Sequence, residues 1–92
     1  MSYGGDVETN DSELVVFVTT GTAEEAEKIG KIIVESRLAA CASILNGIRS
    51  IFRWENAINV EHECLMVIKT TLARYPELEA VILRALEKDP DR

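Results

Sequence analysis

The sequence predicts an α+β fold in which two helices cover one face of an antiparallel β-sheet, in the order β-α-β-β-α. Two observations support this prediction. Apolar or alternating stretches typical of strands occupy residues 14–20, 41–45, 48–55 and 58–71, and apolar side chains recur at helical spacing in two further stretches. The order corresponds to a split βαβ unit that lacks its usual last strand. Both helices are then expected on one face of the sheet.

The first strand and first helix are predicted from residues 14–35. Residues 14–20 are almost wholly apolar and β-branched, which is typical of a central strand covered on both faces. Thr22 and Glu25 match the capping box, in which the hydroxyl accepts from the third helical amide and the glutamate reaches back to the cap's own amide. A helix therefore begins after Thr22. On its apolar stripe, the small Gly30 is expected to allow close approach to the sheet.

The second and third strands are separated by two turn signals. Asn46-Gly47 is either a hairpin turn of type I′ or a bend or bulge inside one long strand. Asn56 marks the next reversal, because asparagine tolerates a left-handed backbone. A second helix is expected from Pro76, where the missing amide costs nothing, to about residue 88.

Length and composition indicate one small domain. The chain has 92 residues, of which 47% are hydrophobic and 28% charged, so a packed core is expected. Residues 1–12 are polar, acidic and without periodicity, and we expect this tail to be disordered. The domain is assigned to residues 13–92. Because so short a chain buries a limited core, assembly into an oligomer would add burial.

The charge and hydropathy of the chain exclude several classes of partner. The formal net charge is −6, and a chain of this sign repels phosphate backbones, so nucleic acid is not an expected partner. No apolar run approaches the eighteen or so residues of a membrane span. The first ten residues lack the features of a signal peptide, and the expected location is the cytoplasm.

A combination of motifs carries a family resemblance. Residues 37–41 read Arg-Leu-Ala-Ala-Cys, followed by an apolar strand, Gly47, residues 50–52 (Ser-Ile-Phe), Trp54 and Glu55. Together with Ile58 and residues 67–70, this pattern resembles the CutA family of divalent-cation tolerance proteins over about residues 14–86. The resemblance implies a ferredoxin-like subunit whose long second and third strands form a hairpin in a tight homotrimer. It also implies that Asn46-Gly47 is a bend.

The resemblance has functional implications as well. It implies tolerance to copper and other divalent cations, with metal binding, and no catalytic activity. Two departures concern the metal ligands. Residues 87–92 replace a family segment with an HPY motif and a closing strand, so its His and Glu have no counterpart in this sequence. Thr19 stands where some members carry a cysteine.

Cys41 is the candidate metal ligand. A copper or zinc site takes three or four converging ligands. His62 and Cys64 are two apart on one strand and share a face, and Cys41 from a neighbouring strand would complete the set. The interpretation that the residues favour is that both thiols pack in the core, as strand cysteines more often do, while His62 lies on the surface.

Phe52, Trp54, Glu55 and Lys69 are the candidate residues of a subunit interface or ligand cleft, since aromatic residues are enriched at interfaces. No nucleophile with an activating base and no phosphate loop is recognisable, so no enzyme is predicted. The leading hypothesis is a trimeric, metal-binding tolerance protein. The alternative is a PII-like signalling or scaffold module that binds a small effector or a protein at its subunit clefts.

Overall fold

The structure is a computed structural model that describes residues 12–87. Its elements are β1 (Glu13–Thr20), α1 (Ala23–Glu35), β2 (Cys41–Trp54), β3 (Ala57–Thr71) and α2 (Tyr75–Glu87). The predicted α+β class and β-α-β-β-α order are confirmed. The predictions for the tail and for the end of the second helix at residue 88 fall outside the described residues, apart from Ser12, whose carbonyl accepts from the Leu72 amide at 2.8 Å.

The sheet is antiparallel, with the strand order β1-β3-β2. Thus β3 is the central strand, and the prediction that β1 is central and covered on both faces is wrong. On β1, Val15 and Phe17 are 53% and 66% exposed, because both helices pack on the opposite face of the sheet. β1 has apolar side chains on both of its faces. Within residues 12–87, only the face toward the helices is covered.

The core lies between the two helices and one face of the sheet. It is formed by apolar side chains from α1, β3, α2 and the loop after α1: Ala26, Ile29, Ile33, Leu38, Ala39, Cys64, Met66, Ile68, Leu78 and Ile82. At Gly30 an added Cβ would lie 3.6 Å from Ala42 and 3.7 Å from Met66. These are ordinary van der Waals distances, so the close approach does not require glycine there, contrary to the prediction.

Local hydrogen bonds define both ends of α1. The Thr22 hydroxyl accepts from the Glu25 amide at 3.1 Å, which confirms the predicted cap. The Glu25 carboxylate accepts from the Gly21 amide at 3.3 Å, one residue before the amide expected from the motif. At the other end, the Arg37 and Leu38 amides donate to the Val34 and Ile33 carbonyls. This is the Schellman arrangement of a helix end.

The long hairpin formed by β2 and β3 extends past the helices. β2 continues through Asn46 and Gly47 as one strand, with a register shift between Leu45 and Ile48 and a φ of 79° at Gly47. The implied bend is therefore confirmed, and the alternative hairpin turn at this point is wrong. The reversal falls at Glu55 and Asn56, both left-handed, with φ of 52° and 64°, as in a type I′ turn.

Candidate functional site

The face of the sheet that points away from the helices is called the outer face here. Three cross-strand rows form its central part, each with one residue from β1, β3 and β2: Val15–Lys69–Cys41, Phe17–Val67–Ser43 and Thr19–Leu65–Leu45. Most of these side chains are apolar, and Phe17 is the most exposed of the large ones. A surface of this kind is typical of a protein–protein contact.

The bulge in β2 extends the outer face into the hairpin. Leu45 pairs with Leu65 and, after the shift, Ile48 pairs with Glu63. Leu45 and Ile48 therefore both lie on the outer face, although side chains three residues apart in a regular strand point to opposite faces. Phe52 and Trp54 follow on the same face. The Ser50 hydroxyl donates to the Glu63 carboxylate beside them. The outer face therefore carries a strip of apolar side chains from the central sheet to the hairpin tip, interrupted there by Ser50, Asn59, Glu61 and Glu63.

The predicted interface residues occupy different parts of this strip. Trp54 is 63% exposed at the end of β2, Phe52 is half-buried, and Glu55 lies in the turn. Lys69 lies opposite Cys41, at the start of β2. Thirteen residues of strand separate Cys41 from Trp54, or roughly 40 Å. Lys69 and the aromatic pair thus cannot form one cleft within a single chain.

The candidate metal ligands do not converge within one chain. Cys41 is on the outer face, opposite Lys69. Cys64 is buried on the helix face, where its thiol donates to the Asn46 side-chain oxygen at 3.2 Å. His62 is exposed on the Cys64 side, so the three side chains do not converge within a single copy. Cys64 in the core and His62 on the surface agree with the packing interpretation. No group of three or more histidine, cysteine or acidic side chains suited to a metal occurs in residues 12–87.

Two openings were not foreseen from the sequence. A cleft of about 450 Å³ lies where α1 ends, β2 begins and β3 ends, and both Arg37 and Arg74 line it. A groove of about 310 Å³ lies between β1 and α2. In that groove the Tyr75 hydroxyl donates to Glu79 at 3.3 Å. The sequence signal for the first cleft was Arg37 itself, an arginine at the position after a helix where glycine is usual.

Comparison with known proteins identifies the family. The sequence matches the family model of the CutA1 divalent ion tolerance protein over residues 14–89. The chain belongs to the CutA1 family. A divalent-cation tolerance protein CutA from Thermus thermophilus is 42% identical over 67 residues, which are 73% of this chain and 65% of that protein. The human protein CutA is 40% identical over 62 residues, 67% of this chain and 35% of that protein.

Solved CutA1 structures share this fold. The divalent cation tolerance protein from Thermus thermophilus superposes with a TM-score of 0.76 at 38% identity, covering 79% of this chain and 71% of that one. The periplasmic divalent cation tolerance protein CutA from Archaeoglobus fulgidus gives 0.75 at 33% identity, with 79% and 71% covered. The ferredoxin-like subunit implied by the resemblance is therefore confirmed. The chain spans just under two thirds of the Thermus relative's sequence.

The family description and the name of the Thermus relative refer to tolerance to divalent cations and name no reaction. Within residues 12–87, neither helix has the length and hydropathy needed to cross a bilayer.

Proposed function

We propose that this chain is a non-enzymatic divalent-cation tolerance protein that works as a homotrimer and binds copper or another divalent metal ion. The observation that carries the proposal is the strip of exposed apolar side chains on the outer face, from Phe17 to Trp54. In a monomer this strip contacts water, which is unfavourable for apolar side chains. Three copies related by a threefold axis would bury it and would also pair strand edges that a single sheet leaves open.

The metal ion is proposed to be held by ligands from different copies. A single chain offers no cluster of three ligands within residues 12–87, whereas a copper or zinc site takes three or four. Cys41 lies half-buried on the outer face, next to the surface that assembly would cover, and it is the thiol proposed to bind. Cys64 is buried on the other face, and its proposed role is packing.

Two measurements test this function. Native mass spectrometry at micromolar concentration should give three times the chain mass. Calorimetry with Cu(I), Cu(II) and Zn(II) under reducing conditions should show binding that Cys41→Ser weakens and that Cys64→Ala, its matched control, retains. Binding no tighter than exposed carboxylates give would contradict the metal assignment. Binding retained in Cys41→Ser would assign Cys41 to packing instead.

The PII-like signalling or scaffold module gains no support from the matches, which are tolerance proteins. A small effector at subunit clefts beside Phe52, Trp54 and Glu55 stays a prediction. The cytoplasm is the proposed location. Because the Archaeoglobus structure is named as a periplasmic protein, fractionation of cells that express the native gene is the test. Recovery of this chain with periplasmic markers would overturn the proposed location.

A further inference from the structure

The cleft beside the end of α1 has a basic lining. Eight residues line it: Val34, Glu35, Arg37, Ala39, Ala40, Thr70, Thr71 and Arg74. Two are arginines and one is acidic, so the lining is net positive although the whole chain carries −6. Its volume of about 450 Å³ falls in the range of small-molecule sites. Local positive charge in an acidic protein favours an anionic ligand at this point.

The backbone of Arg37 is fixed in an unusual conformation. Its φ is 64°, in the left-handed region that glycine adopts most easily. Its amide donates to the Val34 carbonyl at 3.0 Å, and the next amide, of Leu38, donates to the Ile33 carbonyl at 2.9 Å. Glycine would satisfy this helix end without strain. The backbone conformation therefore does not require an arginine here, and this residue lines the cleft.

Arg74 also lines the cleft, and hydrogen bonds fix its backbone. Its amide donates to both the carbonyl and the hydroxyl of Thr71, at 3.1 and 3.3 Å. Its carbonyl accepts from the Leu78 amide at 3.0 Å, which makes Arg74 the residue that precedes α2. The positive end of the α2 dipole thus adds to the charge of the two arginines. Two guanidinium groups on fixed backbones match the planar oxygens of carboxylate or phosphate.

We propose that Arg37 and Arg74 form a binding site for a small oxyanion, a phosphate or carboxylate compound, in this cleft. Neither Cys41 nor the three rows of the outer face contribute to the lining of this cleft, and the site needs no metal ion. Substitution of Arg37 by glycine should remove the ligand contact and preserve the helix end, so binding and folding are separable here.

The test is calorimetric titration of the full chain at low salt with two probes, inorganic phosphate and succinate. The variants are Arg37→Gly and Arg74→Gln. The control is Arg84→Gln, which removes the same charge from the last turn of α2, away from the cleft. We expect at least one probe to saturate, with about tenfold or greater weakening in both cleft variants. Thermal unfolding of Arg37→Gly should be at or above the wild-type temperature.

The two probes distinguish the phosphate from the carboxylate source, and saturation by either supports the site. The proposal is wrong if neither probe saturates, if both cleft variants bind as the wild type does, or if Arg84→Gln weakens binding as much as they do. None of these results depends on metal binding or on assembly. The anion site and the proposed function can therefore be tested, and can fail, independently of each other.

Discussion

The Thr70 hydroxyl donates a hydrogen bond of 2.6 Å to the Leu38 carbonyl oxygen. Thr70 is 2% exposed at the end of β3, and Leu38 is 7% exposed in the loop after α1. The bond therefore joins the central strand to the loop that carries Arg37. It satisfies two polar groups of nearly buried residues.

We expect Thr70→Val to reduce the free energy of unfolding by about 1 to 3 kcal/mol. Valine has nearly the same shape but lacks the hydroxyl, so the buried Leu38 carbonyl loses its donor. Urea unfolding measures the change. Thr70→Ser retains the donor and should cost less. Equal losses in the two variants would assign the effect to packing rather than to the hydrogen bond.

Two glycine substitutions should change stability in opposite directions. Gly30→Ala should stabilise the protein by about 0.5 to 1 kcal/mol, because alanine favours helix and its Cβ would meet its neighbours at ordinary distances. Gly47→Ala should destabilise it by about 1 kcal/mol, since φ is 79° there and alanine is strained in that region. Thermal unfolding of both variants tests this. Destabilisation by Gly30→Ala would mean that the core does not accommodate a methyl group.

Trp54→Ser should weaken the proposed trimer by about 2 kcal/mol or more, as removal of a central aromatic contact does at interfaces. Light scattering across a dilution series gives the mass. Leu72→Ser is the matched control, because Leu72 is 55% exposed in the loop after β3, away from the hairpin. A mass unchanged in both variants, or a wild-type protein that is monomeric and folded, would refute the interface role of Trp54.

The Glu79 carboxylate should change the pKa of the Tyr75 phenol by a measurable amount. The charge of the Glu79 carboxylate, and then its hydrogen bond, raises the pKa of the Tyr75 phenol above 10.0. A raised pKa means that the folded state holds the proton more tightly. The contribution to stability is present below the unfolded pKa and is lost as pH rises through the folded one. In a Tyr3→Phe background, Glu79→Gln should lower the pKa seen by phenolate absorbance, and an unchanged pKa would contradict the contact.

The elements that depend on local sequence were predictable. Residues within four positions of one another determine the Thr22 cap, the start of each helix and the reversal at Asn56. Such local signals can be recognised from the sequence alone. The bend at Asn46-Gly47 was ambiguous by local rules, because positive φ at Gly47 suits a turn and a bulge equally. The family resemblance favoured the bend.

The features that depend on pairing were not predictable. Whether Cys41 and Cys64 share a face is decided by the register of β2 against β3, and the register places Cys41 opposite Lys69, on the other side from Cys64. The apolar run of β1 could not reveal that its outer side is uncovered within one chain. The cleft lined by Arg37 and Arg74 could not be predicted either. The two arginines are far apart in sequence, and only the fold brings the ends of α1 and β3 together.

The bulge in β2 also determines where the length of this chain can change. Asn46 and Gly47 together occupy one position opposite β3, because Leu45 pairs with Leu65 and Ile48 with Glu63. Deletion of Gly47 would leave a regular ladder in which every later residue keeps its present partner and face. A deletion in β2 outside Asn46 and Gly47 would turn the rest of the strand over. Homologues that are one residue shorter here can thus retain the same hairpin surface. A one-residue gap at this point of an alignment does not mean that the residues on the outer face have changed.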